Sequence, residues 1–291
     1  MPKEVFKMTR LRLTQIAPWL LPLRKKQRLF CFYAKMRLDG RRYATELSAH
    51  PLPEQLFAAS TPLYNRQTGM PMLYQDNKVF NLKLAAATLN GLLIKPGEVF
   101  SFWQLVRWAD AHTPYREGLV QRDGRLQTVP GGGMCELSNF LFWLLLHAPV
   151  QIVERHGHRR REFPAPASDK PCGVDATVAE GWLDLKLQNI SNSVLQIRLN
   201  FDDEQLHGQV LAEQAGLLGY EIINGQVRYL SRQGAVYEEA QVVRRGQGRE
   251  LLLYTNCCRI DYQLPPEVVI VDIAADDKPS QLENEEAFCQ C

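Results

Sequence analysis

An α+β fold is predicted for this chain: a helix-plus-antiparallel-sheet core over about residues 60–185, then a smaller β-rich domain over 186–272. Three observations predict it. Val79, Leu82, Ala86, Leu89 and Leu93 recur at three- and four-residue spacing, the period of an amphipathic helix. The stretch "CELSNFLFWLLLH" (135–147) is apolar almost all round, the pattern of a buried helix. From Asp184 onward the chain breaks into short alternating segments divided by Asn, Ser, Gly or Gln, as antiparallel strands do. With 291 residues and 45% hydrophobic side chains, there is enough material for a sizeable core and one or two domains.

The elements follow in order. Residues 1–50 form a basic amphipathic segment: up to Arg42 it carries 12 Lys/Arg against Glu4 and Asp39, with Phe6, Leu11, Leu13, Trp19, Leu20, Leu23, Leu29, Phe30 and Phe32 interleaved. Such a segment lies on an anionic membrane surface, or packs on the protein by its apolar side and leaves its charges solvated. Residues 51–75, with Pro51, Pro53, Pro62 and Pro71, are expected mostly as loop. The helix over "DNKVFNLKLAAATLNGLLI" is expected to be capped by Asp76 or Asn77 and closed by Lys95-Pro96-Gly97. "EVFSF" suggests a short strand, Trp103 to Ala109 a short helix, and "LVQRDGRLQTV" a hairpin across Asp123-Gly124. After the apolar helix, "VQIVERHGH" alternates as a strand, followed by a basic proline-containing loop. Residues 273–291 form an acidic tail expected to be disordered.

Several function classes are excluded. No apolar run reaches the roughly 18–20 residues of a spanning helix. The N-terminal residues lack a clean apolar region with a small-residue cleavage site, which argues against a secretory signal. Seven cysteines, with Cys257-Cys258 adjacent and Cys289 and Cys291 on the acidic tail, do not make a regular disulfide framework. Reduced thiols and a cytoplasmic location, with peripheral membrane contact open, are expected. There is no phosphate-binding loop, dinucleotide fingerprint, HExxH or GxSxG pattern, so no cofactor is expected. No nucleic-acid module accompanies the basic head, and no nucleic acid is expected as partner.

The chemistry concentrates at "PGGGMCELSN". Gly131, Gly132 and Gly133 can make a sharp turn with bare amides. The helix that follows supplies unpaired N–H groups and the positive end of its dipole. A cysteine in that first turn, Cys135, has its anion stabilised. Ser138 and Asn139 lie three and four residues on, so with the glycines they form a small polar window able to bind an anionic group. A thiolate nucleophile needs a base or imidazolium and a third group to orient it. His156 and His158 follow the helix, two apart and on one face if their strand is regular. Asp175 could orient either. The order Cys, His, Asp resembles the layout of transglutaminase-like thiol enzymes. Two other readings stay open: Cys135 as a small buried hydrophobe, or a metal site using Cys135, His156, His158 and Cys172 or Asp175. Those ligand types suit zinc, but the spacing matches no tight zinc signature, so no metal is assigned.

The segments "QDNKVFNLKLAAATLNGLLIKPGEVFSFWQLV", "PGGGMCELSNFLFWLLLHAPVQIVERHGH" and "GVDATV...LDLKLQNIS" resemble the VanW family, proteins named from B-type vancomycin-resistance gene clusters. The resemblance runs from about residue 15 to 210, and more loosely to 262. It implies cell-envelope or glycopeptide-resistance biology rather than a defined reaction, and its motifs take in Cys135, His156, His158 and Asp175. The family usually carries Gln after the cysteine, where this chain has Glu136; a carboxylate there would oppose thiolate formation. Two functions are therefore expected as alternatives. One is a thiol-dependent peptidase, amidase or transpeptidase-like activity on a cell-wall precursor, with Cys135 as nucleophile, His158 rather than His156 as base, and the Gly131–Cys135 amides as oxyanion hole. The other is a non-catalytic binding or scaffold protein that takes a small anionic ligand at the glycine turn and docks on the inner membrane surface.

Overall fold

The computed structural model describes residues 18–66, 69–122, 125–164 and 168–273. The N-terminal part of the basic segment, the Asp123-Gly124 turn and the acidic tail with Cys289 and Cys291 lie outside them. The helices are α1 (Leu21–Leu38), α2 (Met72–Ala87), α3 (Phe102–Val106) and α4 (Met134–Leu146). The strands before residue 165 are β1 (Glu54–Pro62), β2 (Leu93–Ile94), β3 (Val99–Ser101), β4 (Glu117–Arg122), β5 (Arg125–Pro130), β6 (Val150–Glu154) and β7 (Arg160–Arg161). Those after it are β8 (Lys186–Asn189), β9 (Leu195–Phe201), β10 (Gln205–Ala212), β11 (Glu221–Arg232), β12 (Ala235–Gly246), β13 (Arg249–Ile260) and β14 (Ile270–Asp272). The mixed, mainly antiparallel α+β class is as the patterning predicts.

Helix α4 organises the interior. Leu137, Leu141, Phe142, Leu144, Leu145 and Leu146 are fully buried. Each contributes about 1.5–3 kcal/mol on removal from water. One wall is the sheet β1-β10-β9-β2. Strand β10 meets α4 at Gly208, where an added Cβ would lie 2.3 Å from Leu144 and 2.7 Å from Phe140. Glycine here lets a helix approach a strand more closely than any side chain would allow. A second sheet, β3-β8-β6, carries the chain out of α4, and a third, β14-β11-β12-β13-β7, is built on three long antiparallel strands. Strands from both sides of residue 185 share the first two sheets: β1 and β2 pair with β10 and β9, and β8 lies between β3 and β6.

Three local expectations are corrected. Residues 54–62, expected as loop, form edge strand β1, which pairs with β10 from Glu54 opposite Ala212 to Pro62 opposite Gln205. The cross-strand partner supplies what the weak local alternation lacks, and Pro62 is tolerated because it ends an edge strand. Helix α2 begins at Met72 after Pro71, whose φ of −54° suits a helix start, so Asp76 and Asn77 lie inside it rather than capping it. Strand β6 stops at Glu154, leaving His156 and His158 in irregular backbone where two-residue spacing no longer puts side chains on one face.

A Gly208→Ala variant should lose about 1–3 kcal/mol of stability, the usual cost of overpacking a closed core. Urea denaturation of the two proteins measures it; an unchanged midpoint would contradict this account of the α4–β10 contact.

Candidate active site

The site starts at the amino end of α4. Gly133 is the residue before the helix and has a left-handed φ of 104°, a conformation that glycine adopts without strain. Gly132 packs against the backbone of Gly118, and a Cβ on it would sit 2.2 Å from the Gly118 carbonyl carbon. Asn81, fully buried on α2, clamps this turn. Its Nδ2 donates to the Arg116 carbonyl at 2.9 Å and the Gly132 carbonyl at 3.1 Å, and its Oδ1 accepts from the Arg116 amide at 2.8 Å. The Gly131 and Gly132 amides donate to the carbonyls of Arg116 and Val129. They are therefore spent and cannot hold an oxyanion in this geometry. The Met134 and Cys135 amides, in the first turn of α4, carry no hydrogen bond to a described residue.

Cys135 is partly buried at the wall of a large open cleft that His158, Asp175 and Thr177 also line. Its Sγ lies 3.3 Å from Thr177 Oγ1 and 3.6 Å from the Val178 carbonyl oxygen. Burial pushes the thiol up, but the hydrogen bond and positive charge of His158, helped by Thr177, bring it below its ordinary value. His158 Nδ1 is 2.6 Å from Asp175 Oδ1, and the His158 amide donates to Asp175 Oδ2 at 2.6 Å. With Nδ1 engaged, Nε2 is the nitrogen left for the thiol. Burial alone would lower the imidazole; the charge and hydrogen bond of Asp175, with those of Cys135, raise it instead to about 10. Burial likewise opposes ionisation of the Asp175 carboxyl, but His158, followed by Arg155, holds it far below the usual carboxylate range. The three groups form one line in which each favours the charged form of its neighbour.

His156 is not part of that line. Its Nε2 contacts Glu154 Oε1 at 3.2 Å, and Glu154 also holds Lys186 at 2.8 Å. The His156 carbonyl accepts from the Thr177 amide at 2.7 Å and so helps to place the hydroxyl beside Cys135. Ser138 and Asn139, expected in the polar window, turn to the backbone. Ser138 Oγ donates to the Ala176 carbonyl at 2.6 Å and Asn139 Oδ1 accepts from the Ala176 amide at 2.6 Å, which ties α4 to the segment carrying Asp175. Arg155 secures the other side of that segment by donating to the Asp175 carbonyl at 2.6 Å. Among the described residues no group of three His, Cys, Asp or Glu side chains is placed to hold a metal ion.

Lys78 answers the concern raised by Glu136. Its Nζ lies 2.6 Å from Glu136 Oε2. Burial holds the Glu136 carboxyl above its ordinary value against the pull of Lys78. Glu136 is thus either paired or protonated, and puts no free charge beside the thiol. Asn81, Lys78, Thr177 and Arg155 carry no signal as single residues in a sequence; only "ERH" within the family-like stretch pointed near one of them. Asn81→Ala would strip partners from buried backbone groups and should cost about 2–3 kcal/mol. It should also speed amide exchange over Gly131–Cys135; exchange rates matching the wild type there would contradict the clamp.

Comparison with known proteins bears on the family of the chain. The model for the family described as VanW like protein matches residues 77–211, a span that holds Asn81, the glycine turn, Cys135, both histidines and Asp175. The "Vancomycin B-type resistance protein VanW" of Enterococcus faecalis (strain ATCC 700802 / V583) is 53% identical over 270 residues, covering 90% of this chain and 98% of that protein. The "Uncharacterized protein YoaR" of Bacillus subtilis (strain 168) is 34% identical over 118 residues, covering 40% of this chain and 37% of that protein. No solved structure matches, so the transglutaminase-like likeness rests on residue order alone. Identity at this level along nearly the whole chain has one consequence: this protein belongs to the VanW family.

Proposed function

We propose that this protein is a cysteine-dependent acyl-transfer enzyme acting on an amide of a cell-wall precursor. The observation that carries the reading is the line Asp175–His158–Cys135 at the wall of an open cleft. A buried thiol without a partner would have favoured a binding protein; a thiol paired with an anchored imidazolium favours a nucleophile. The name of the 53% identical relative, a vancomycin B-type resistance protein, supports a role linked to glycopeptide resistance.

The chemistry follows from the geometry. Cys135 Sγ attacks the amide carbonyl carbon, and the carbonyl oxygen takes up the negative charge near the Met134 and Cys135 amides. The C–N bond breaks as His158 Nε2 gives its proton to the leaving nitrogen. The resulting thioester is released by water, or by an acceptor amine, whose proton returns to His158. Asp175 keeps the imidazole oriented throughout and stabilises its charge.

Helix α1 supports a membrane-surface location for this chemistry. No described helix is long and apolar enough to cross a membrane. Yet α1 exposes Leu23 (64%) and Phe30 (75%), seven residues apart on one stripe, beside Lys26 and Arg37 and after exposed Trp19 (77%). Its other side packs inward through Met36 and Tyr33, with Tyr33 donating to Glu180 at 2.7 Å. Arg24, Arg28 and Phe32 of α1 line the same cleft as Cys135. A protein docked by α1 on the inner membrane surface would thus open its cleft beside membrane-anchored precursors.

Two measurements test these readings. Iodoacetamide should alkylate Cys135 well below the ordinary thiol range of about 8.5; His158→Ala should move the profile to higher pH, and His156→Ala should leave it in place. A thiol inert until unfolding would leave the scaffold reading, in which an anion binds at the Met134 and Cys135 amides of the first turn of α4. The paired substitution Leu23→Glu with Phe30→Glu should reduce binding to anionic vesicles by roughly tenfold or more; equal sedimentation of both proteins would remove α1 as the anchor.

A further inference from the structure

We propose that Asn139 binds the substrate: its side-chain Nδ2 donates to a second carbonyl oxygen, in the acyl portion that stays on Cys135. The proposal rests on Cys135 being the nucleophile and adds the chemical class of what that nucleophile acts on, a peptide rather than a simple amide.

Asn139 lies on α4 four residues after Cys135. The two side chains are therefore neighbours on one face of the helix, with Cβ atoms about 5–6 Å apart. Segment 176–178 runs along that face and fixes both. The Ala176 amide donates to Asn139 Oδ1 at 2.6 Å. Cys135 Sγ lies 3.3 Å from Thr177 Oγ1 and 3.6 Å from the Val178 carbonyl oxygen. Asn139 and Cys135 thus rest on successive residues, Ala176 and Thr177, whose Cα atoms are about 3.8 Å apart. Asp175, whose Oδ1 meets His158 Nδ1 at 2.6 Å, immediately precedes them.

The Ala176 contact also decides which way the carboxamide faces. A backbone N–H can only donate, so the atom that meets it is the oxygen, and the amide nitrogen is turned away. Ser138, next along the helix, is fully buried, with its hydroxyl turned to the Ala176 and Cys135 carbonyls. Asn139 differs: it is half-buried, lines the cleft, and its Nδ2 has no hydrogen-bond partner among the described residues. With one end of the carboxamide pinned, the other is held ready as a donor, and binding costs little further rotamer freedom. The donor is uncharged. That suits a neutral carbonyl oxygen, whereas an anion is held best by the charged donors of Arg or Lys. A peptide offers such an oxygen near the bond under attack, because every residue carries one carbonyl. The acyl portion remains on sulfur after the C–N bond breaks, so a donor to it serves both formation and release of the thioester.

Two chloromethyl ketones supply the test: N-acetylalanine chloromethyl ketone and chloroacetone. Sulfur displaces chloride from both, and only the first carries a peptide carbonyl. Their rates at Cys135 are read by peptide mass spectrometry on the full chain at pH 8, for the wild type, Asn139→Asp and Asn139→Ala. Asn139→Asp keeps an oxygen for the Ala176 amide and removes the donor; Asn139→Ala removes both. Chloroacetone reports any change in the thiol itself, so the ratio of the two rates isolates the peptide portion. That ratio is expected to fall roughly 3- to 10-fold in both variants, the scale of one neutral hydrogen bond. If Asn139 serves only to tie α4 to Ala176, the ratio stays at the wild-type value in Asn139→Asp. An unchanged ratio in either variant overturns the Asn139 assignment and leaves the nucleophile standing. A wild-type Cys135 inert to chloroacetone until the chain unfolds overturns both.

Discussion

The structure depends on the burial of helix α4 with its amino end held at a fixed place. A thirteen-residue segment that is apolar almost all round has no face to offer water, so it must be surrounded. The surrounding is done by strands remote in sequence, β1 and β10 above all, and by α2. Once α4 is locked, the parts of it near solvent are its first turn and Asn139. The glycine turn and the Asn81 clamp set the direction in which that turn faces.

The histidine and carboxylate are supplied by a different layer. After β6 the chain crosses to the long-stranded sheet, where β7 pairs in parallel with β13, Arg160 opposite Arg259. That pairing pins the backbone immediately after His158. The Gly173–Asp175 segment rests on the same sheet: a Cβ added at Gly173 would lie 3.0 Å from Asn256 and 3.1 Å from Ala240, and Tyr254 donates to the Gly173 carbonyl at 3.2 Å. The candidate site is thus a seam. Cys135 belongs to the helical layer, His158 and Asp175 to the sheet layer, and Ser138, Asn139 and Thr177 are the stitches between them. A seam of this kind can be precise only if both layers are rigid, and both are anchored by buried hydrogen bonds.

Electrostatics then act on this geometry. Each ionisable group of the line would be neutral if buried alone, because desolvation penalises charge. Together they shift the other way: the carboxylate and thiol are driven down and the imidazole up. The arrangement is self-consistent, since each charge is the reason for its neighbour's. The pairing of Lys78 with Glu136 keeps the side chain most able to disturb it out of the balance.

Much of this was legible in the residues themselves, because it depends on local period and composition. The amphipathic α2, the buried α4, the run of antiparallel strands after Asp184, the glycine turn before a first-turn cysteine and the family membership all follow from spacing and residue type. What the sequence could not supply is contact between distant segments. It left His156 and His158 as near equals, since both lie on one face only if the strand continues, and the end of β6 at Glu154 is set by pairing with β8. It likewise gave no indication of β1, which exists because β10 lies beside it. Nor did it reveal Lys78, Asn81 or Thr177, polar residues whose roles come from what folding brings next to them. Local physics determined the elements and the cysteine; only the packing of two layers decided which histidine lies with it and what orients that histidine.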